Sequence, residues 1–360
     1  MGGWDELWNR ESSLATIFAW EGILMPQETV LVTGGAGYIG AHLVRKLLQR
    51  GYRVRVLEKF MYGDHGLTDL AGESNLEIRY GDISSDRDMR SAAAGTRWVI
   101  ALAAIVGDGA CDVDPQETMI TNFESTKTLI DACHAAGVQR TVFASSCSVY
   151  GAKGNDTLDE DSELNPVSLY ARTRIMSEDV LEQRRGSLEV VILRLSTVCG
   201  WSPRMRFDLM VNAITARAAI EGSMRIVGAN QWRPHIHVQD AAEAFLCSAI
   251  DAPSSSADAT RYNTGGNELN FTIGEVADKV MKRFPQTHAE YHDHIEDRRS
   301  YRVSFDRIRR AMGFVPRFTV DNAIDEVREH LMAGAVSDYN DIVYHNLKSV
   351  QHAVHLRATA

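Results

Sequence analysis

Tyr170 and Arg174 stand four residues apart in the segment LYARTRIMSED, inside a helical pattern. Side chains at that spacing share one helix face. A cation beside a phenol favours the phenolate, so the pair suits a general base that takes an O–H proton. Upstream, a strand-like segment ends in SSCSVYG, Ser145 to Gly151. A serine hydroxyl at that place can hydrogen-bond the same substrate oxygen. The chemistry implied is removal of an O–H proton as hydride leaves the carbon, which needs a nicotinamide beside the pair.

A site for such a cofactor is legible from Val30 to Glu58, VLVTGGAGYIGAHLVRKLLQRGYRVRVLE. The apolar run Val30–Val32 reads as a buried strand, followed by Gly34, Gly37 and Gly40 in GxxGxxG spacing. Gly34 allows a sharp turn with positive φ. Gly37 lets a pyrophosphate approach the backbone, and Gly40 lets the following helix pack close to the strand. The helix pattern stops at Gly51, and a second strand ends in Glu58. The amides of the helix N-terminus face the phosphates. The Glu58 carboxylate is placed to accept both ribose hydroxyls of an adenosine and would repel a 2′-phosphate, which favours NAD over NADP.

The elements around this unit alternate. LEIRYGDI from Leu76, WVIALAA from Trp98, RTVFASS from Arg140 and VVILRLS from Val190 read as further strands, with helical patterns over Glu117–Ala136 and Ser168–Arg185. Such alternation predicts an α/β fold of Rossmann type, a doubly wound parallel sheet with ligands at the carboxyl ends of its strands. Past Gly200 the rhythm loosens into short strands (from Arg225, His235 and Arg261) and helices, one after Asp240 and one from the capping box at Thr272 and Glu275. The expected division is an N-terminal extension over 1–27, an NAD-binding domain over 28–200, a smaller C-terminal α/β substrate lobe over 201–345 and a tail over 346–360. Only PSSSADA from Pro253 reads as a flexible loop.

Composition narrows the partners. The chain has 360 residues, 44% of them hydrophobic, and a net charge of −10. That charge argues against a nucleic-acid surface, so a phosphate must be met by local arginines and backbone amides. The five cysteines form no CxxC pair, which suggests neither a disulfide framework nor a zinc site and fits a reducing cytoplasm. Met1–Leu24 lacks a basic start and is no secretory signal. No stretch reads as a membrane span.

The segments TGGAGYIG, YGDI, LAA at Leu102–Ala104, SSCSVYG, the Tyr170 helix, LRLSTVCG, RPHIHVQD and YNTGG together resemble a known family. It is that of the extended short-chain dehydrogenase/reductases, in particular the NAD-dependent nucleotide-sugar epimerases and dehydratases. The resemblance runs from about Glu28 to Leu331. It implies Tyr170 as base, Ser146 as hydroxyl partner and Arg174 as the activating cation. It implies cofactor contacts from Gly34, Gly37, Tyr38, Ile39, Gly40, Glu58, Asp82, Ile83, Leu102, Ala103, Ala104, Asn122, Tyr170, Arg174 and Val198. Asp82 would meet the adenine, and Val198 would lie near the nicotinamide amide. Substrate contacts would come from Ser146, Ser148, Arg206, Arg233 and Arg299, with Arg233 facing the diphosphate of a nucleotide sugar. A homodimer through a four-helix bundle is implied for the stripes Met119 and Leu129, and Ile175, Met176 and Val180.

One departure stands out. The family pattern is Tyr-x-x-x-Lys, and here Arg174, a planar fork rather than a point charge, fills the Lys position. The residues before Val149 narrow the reaction. The resembling 4,6-dehydratases carry an acid there, whereas Cys147 and Ser148 offer no carboxylate. Related reductases and 3,5-epimerases place a cysteine at the position of Ser148, and Cys147 is one residue early, reading as a packing residue. The expected activity is therefore epimerisation of a nucleotide-linked sugar at C4. The alternatives are a net NAD-linked dehydrogenase or reductase, epimerisation at another carbon, and a non-catalytic NAD-binding regulator.

Weaker signals have plain readings. His235 with His237, and His292 with Asp293 and His294, lack a full ligand set, so no metal is expected. Asp240 reads as a helix cap, and Asn122 as a support for local backbone. Arg204, Arg206, Arg298 and Arg299 form two basic clusters, one of which is expected to hold phosphate.

Overall fold

The structure, a computed structural model, describes residues 28–252, 260–292 and 299–359. The N-terminal extension, the loop from Pro253, and Asp293, His294 and Arg298 lie outside the described residues.

Seven parallel strands form the central sheet: β1 (Thr29–Thr33), β2 (Arg53–Glu58), β3 (Leu76–Tyr80), β4 (Trp98–Ala101), β5 (Arg140–Ser146), β6 (Glu189–Leu195) and β7 (Arg261–Thr264). Their spatial order is β7-β6-β5-β4-β1-β2-β3, so the order reverses between β1 and β4. The apolar runs are continuous because both faces are covered. Val30, Val32, Val54, Val56 and Ile100 pack on one side, beneath helix α1 (Gly40–Gln49) and the helix Val238–Leu246. Leu31, Leu57, Val99 and Phe143 pack on the other, beneath α2 (Ser125–Ala136) and α3 (Leu169–Arg184). Each such fully buried side chain stabilises the fold by about 1.5–3 kcal/mol.

The smaller lobe holds the three-stranded sheet of Thr197–Cys199, Trp232–His237 and Asn270–Thr272. Its core contains Val211, Ile214, Met224, Val276 and Val280, joined by Val320 and Ile324. The capping box at Thr272 is formed, with Glu275 reciprocating.

Four local features differ from the sequence expectation. The strand from Arg261, expected in the lobe, is the edge strand β7 of the main sheet, in register with β6 from Ile192↔Arg261. Tyr-Asn-Thr is too short and polar to announce that place, yet Tyr262, Asn263 and Thr264 are fully buried. The expected tail is a helix, α4 (Asn346–Thr359), whose Val350 is buried against Ile105, Ala110 and Cys111. The helix expected over Glu117–Ala136 is interrupted by a π-helical turn at Ile120–Glu124. Asp240 caps nothing, since its helix starts at Val238 with His237 as N-cap; its carboxylate accepts the N–H groups of Arg317 and Phe318 at 3.0 and 2.8 Å.

Candidate active site

A cavity of about 1110 Å³ opens at the carboxyl ends of the strands. Its lining includes Gly34, Gly37, Tyr38, Ile39, Gly40, Glu58, Asp82, Ile83, Leu102, Ala103, Ala104, Ser146, Ser148, Tyr170, Arg174, Val198, Arg206, Arg233 and Arg299. The sequence-predicted residues therefore meet around one space, with the exception of Asn122.

At one end the cavity is shaped by main chain. Gly34 has φ +75°, and a Cβ there would lie 2.7 Å from Ala103 N. A Cβ at Gly40 would collide with Gly34 O, whereas one at Gly37 would approach only Gly34 O, at 3.1 Å. Gly37 thus leaves open the space its side chain would take. No side chain caps the first turn of α1, so the positive end of its dipole faces the cavity without a side-chain acceptor in the way. This open cradle at a helix N-terminus fits a dinucleotide diphosphate.

Main chain also fixes Glu58. Its Oε1 accepts N–H bonds from Lys59 at 3.0 Å and Phe60 at 3.1 Å, and Oε2 accepts one from Ala36 at 3.3 Å. Phe60 itself has a left-handed φ of 54°. Burial pushes the Glu58 carboxyl up, against these hydrogen bonds. With Oε1 doubly engaged, Oε2 is the oxygen with room for a ribose hydroxyl. Asp82 is also engaged: Oδ2 meets Lys59 Nζ at 2.6 Å and Oδ1 accepts the Ser84 N–H and hydroxyl.

At the other end side chains dominate. Ser146 and Ser145 alternate across β5. The Ser145 hydroxyl donates to Glu178, inside a buried network in which Arg194 meets Glu178 at 2.7 Å and Tyr150 OH at 3.0 Å. Ser146 lines the cavity and accepts the Ser148 N–H at 3.1 Å, opening a 3₁₀ turn over Cys147–Tyr150. Cys147 is fully buried and donates its thiol to Arg194 O at 3.2 Å, a packing role. The Ser148 hydroxyl has no partner and lines the cavity.

Tyr170 and Arg174 do share one face of α3, which Ser168 caps. Arg174 is 2% exposed and its guanidinium lies 5.3 Å from the Tyr170 ring centroid. Nη1 donates to Ala144 O at 3.1 Å and Nη2 to Asn122 O at 3.4 Å, while Nε has no partner. The expected acidification of the phenol is only partial. Burial pushes Tyr170 above its ordinary value, and Arg174, itself pushed down by burial, opposes this without overcoming it.

Asn122 does not reach the cavity. Its side chain bridges both backbone groups of Ile105, at 2.8 and 2.9 Å. Its carbonyl accepts both Arg174 Nη2 and the Ser177 hydroxyl, the latter at 2.9 Å, so Asn122 buttresses Arg174. The expected substrate arginines are variously engaged. Arg206 forms a bidentate pair with Asp208 at 2.9 and 3.0 Å. Arg299 pairs with Asp108 at 3.1 Å, and Arg233 donates to the carbonyls of Trp232 and Arg299. Sequence reasoning missed Lys59, Tyr62, Asp108 and, from α4, Asn346 and Leu347, all of which line the cavity. None carries a spacing signal.

His235 and His237 do not face the cavity. His237 bonds Glu326 at 2.9 Å, and His235 is fully buried with its pKa pushed down to about 4 by burial. Among the described residues no group of three or more potential ligands is gathered for a metal, and no helix is long and apolar enough to cross a membrane.

A glycine cradle, an acid at the end of β2 and a Ser–Tyr pair on one cavity define a class of nicotinamide-dependent enzymes. Residues 30–265 match the NAD dependent epimerase/dehydratase family. The chain belongs to that family, and its cofactor is NAD. The UDP-glucose 4-epimerase of Rhizobium leguminosarum bv. trifolii is 28% identical over 325 residues, which cover 83% of this chain and 96% of that protein. That of Azospirillum brasilense is 28% identical over 314 residues, 80% of this chain and 87% of that one. Among solved structures, MoeE5 in complex with UDP-glucose and NAD is 27% identical, with a TM-score of 0.73 over 86% of this chain and 100% of that one. The UDP-glucose 4-epimerase of Thermotoga maritima, at 21% identity and a TM-score of 0.76 over 86% of this chain and 100% of that one, shares the fold.

Proposed function

We propose that the protein epimerises a nucleotide-linked sugar at C4. The observation that carries this reading is the placing of Ser146, Tyr170 and Arg174 on the wall of the cavity that also contains the glycine cradle. NAD, held by the glycine cradle and Glu58, would supply a reversible hydride acceptor beside the sugar carbon, with the keto sugar presenting its opposite face for the return. Tyr170 takes the hydroxyl proton, and Ser146 holds the same oxygen. Arg174 offsets the phenolate charge, and its buried Nε has no hydrogen-bond partner. The C4 choice is supported by Cys147, held neutral in the core where dehydratases need an acid, and by the names of the relatives.

The test is a panel of nucleotide sugars incubated with NAD-loaded protein in D₂O and followed by mass spectrometry and NMR. A C4 epimer without solvent deuterium and without net NADH is expected. Deuterium at a ring carbon would indicate epimerisation beside a keto group instead. NADH rising in step with product would indicate a dehydrogenase, and NAD binding without any conversion a regulator. In parallel titrations NAD should bind in preference to NADP, with Glu58→Ala narrowing the difference.

The same reading includes a homodimer through the helical stretch 116–136, which contains α2, and through α3. Leu129 and Ile175 are taken up by the chain's own core, leaving Met119, Met176 and Val180 half-buried for a partner. Sedimentation of the purified protein as a monomer would remove this part.

A further inference from the structure

Two arginines, Arg204 and Arg206, sit beside the cavity on the segment that follows Gly200, and their surroundings differ. Arg206 is neutralised by Asp208. Arg204 is 4% exposed and forms no ion pair among the described residues. Its Nη2 donates to Asn346 Oδ1 at 2.7 Å, its guanidinium stacks 4.5 Å from the Tyr62 ring centroid, and its Nε has no hydrogen-bond partner. A buried cation with no directly bonded counter-ion is costly; Asp208 and Glu58 act on this one only through space, and it lines the cavity. Burial, and then the neighbouring Arg206, push its pKa down to about 10, so the charge stays but wants an anion.

We propose that Arg204 binds the diphosphate of NAD, reaching the glycine cradle from the smaller lobe, and that Asn346 of α4 aims it. The placement decides between the two diphosphates such a cavity takes. Two residues upstream, Ser202 donates its hydroxyl to Tyr38 O at 2.8 Å, and Tyr38 OH donates to Gly200 O at 2.6 Å. The Arg204 segment therefore lies against the glycine loop. Tyr62 follows Glu58 on the loop after β2, and the charges of Glu58 and Arg204 act on each other. Arg204 thus stands among groups of the cofactor end. That end needs it, because the dipole of α1 supplies only about half a unit charge against the two of a diphosphate. The aim is set by Asn346. Its Nδ2 donates to Val106 O at 3.0 Å and its N–H to Asp208 Oδ2 at 3.0 Å, while Val350 anchors the helix beside Ile105 and Ala110.

The test uses the full chain and calorimetric titration of NAD at two salt concentrations, with UDP-glucose titrated onto NAD-saturated protein. Arg204→Met keeps the stem and removes the charge. NAD affinity should fall about 10- to 100-fold, as for a lost hydrogen bond to a charged group, and its salt dependence should become shallower. The melting temperature without NAD should hold or rise, since an unpaired buried charge is gone. UDP-glucose affinity should not change. Arg204→Lys should restore part of the NAD affinity, and Asn346→Ala should lose less than Arg204→Met; these two variants carry the test if Arg204→Met does not fold. Unchanged NAD affinity with weaker UDP-glucose binding would assign Arg204 to the substrate and overturn the proposal. Unchanged affinity for both, with a lower melting temperature, would overturn it in favour of a purely structural role. The inference rests on NAD as cofactor, and wild-type protein that fails to bind NAD would overturn that premise as well, an outcome distinct from wild-type binding that Arg204→Met leaves intact.

Discussion

The two ends of the cavity are built by different means. At the glycine end the shape is set by main chain: a left-handed Gly34, the close contact at Gly40, and a Glu58 carboxylate held by three backbone N–H groups. At the Tyr170 end it is set by side chains drawn from β5, α3 and the lobe, several of which are already engaged with protein partners. Backbone geometry tolerates few residue types, so the first end is rigid and specific. The second end is adjustable, and its chemistry depends on which partners are given up when a ligand enters.

The largest expected effect tests whether the ends are separable. If Tyr170 is the base, as proposed, Tyr170→Phe removes it alone, so kcat should fall about 10³-fold, within the range for lost general-base catalysis, with NAD affinity nearly unchanged in a titration. Loss of NAD binding in that variant would break the division. The converse change is Gly34→Ala. Its Cβ would meet Ala103 N at 2.7 Å in a left-handed backbone, so NAD should no longer be retained on gel filtration, and thermal unfolding should show a loss of about 1–3 kcal/mol.

Arg174 lies where the two ends meet, and its variants sharpen the contrast. On the proposed mechanism activity uses the Tyr170 phenolate, so it should rise with pH through the phenol pKa. Arg174 lowers that pKa against burial, and Arg174→Ala should shift the rise of the pH–rate profile to higher pH and weaken NAD binding. Arg174→Lys should lose activity if the fork matters, because it cannot reproduce the two bonds to Ala144 O and Asn122 O. A Lys variant at or above the natural rate would show that only the charge is used.

The smallest effect on catalysis is expected at His235, which belongs to neither end. Its folded pKa is about 4, below the ordinary 6.5, so between these values the unfolded chain binds more protons. Stability should therefore fall as pH drops from 6.5 towards 4, by up to about 3 kcal/mol. His235→Phe should flatten that part of a pH series of denaturant unfolding while leaving kcat/KM at neutral pH intact.

The same contrast explains what was legible in the sequence. Gly34, Gly37, Gly40 and Glu58 carry their geometry in their spacing, because the turn, the helix start and the strand end are local. The Ser146–Tyr170–Arg174 set was legible because a strand end and a helix face are periodic features. Asn122 supports local backbone, as one of its two readings had it, but lies outside the cavity lining, and its carbonyl's contacts to Arg174 and Ser177 have no residue signature. Arg206 lines the cavity as expected but is paired with Asp208, whereas Arg204 has no such ion pair among the described residues, and the two look the same in one dimension. Asn346 gave no warning at all, since it gains its neighbours only when α4 packs on residues far upstream. β7 was placed in the lobe because three buried polar-looking residues do not announce a sheet edge.

That edge strand has a kinetic consequence. β7 pairs with β6 across a closed loop of about 70 residues, Ile192 to Arg261, and the smaller lobe's first strands lie within that loop. The entropy of closing such a loop is met before its contacts repay it, which raises the contact order of the sheet. A nascent chain emerging from the ribosome holds a complete glycine cradle long before it can complete the sheet. The folding rate should accordingly follow the formation of the lobe rather than that of the cradle, and stopped-flow refolding should show the cradle-side strands protected from hydrogen exchange before β6 and β7.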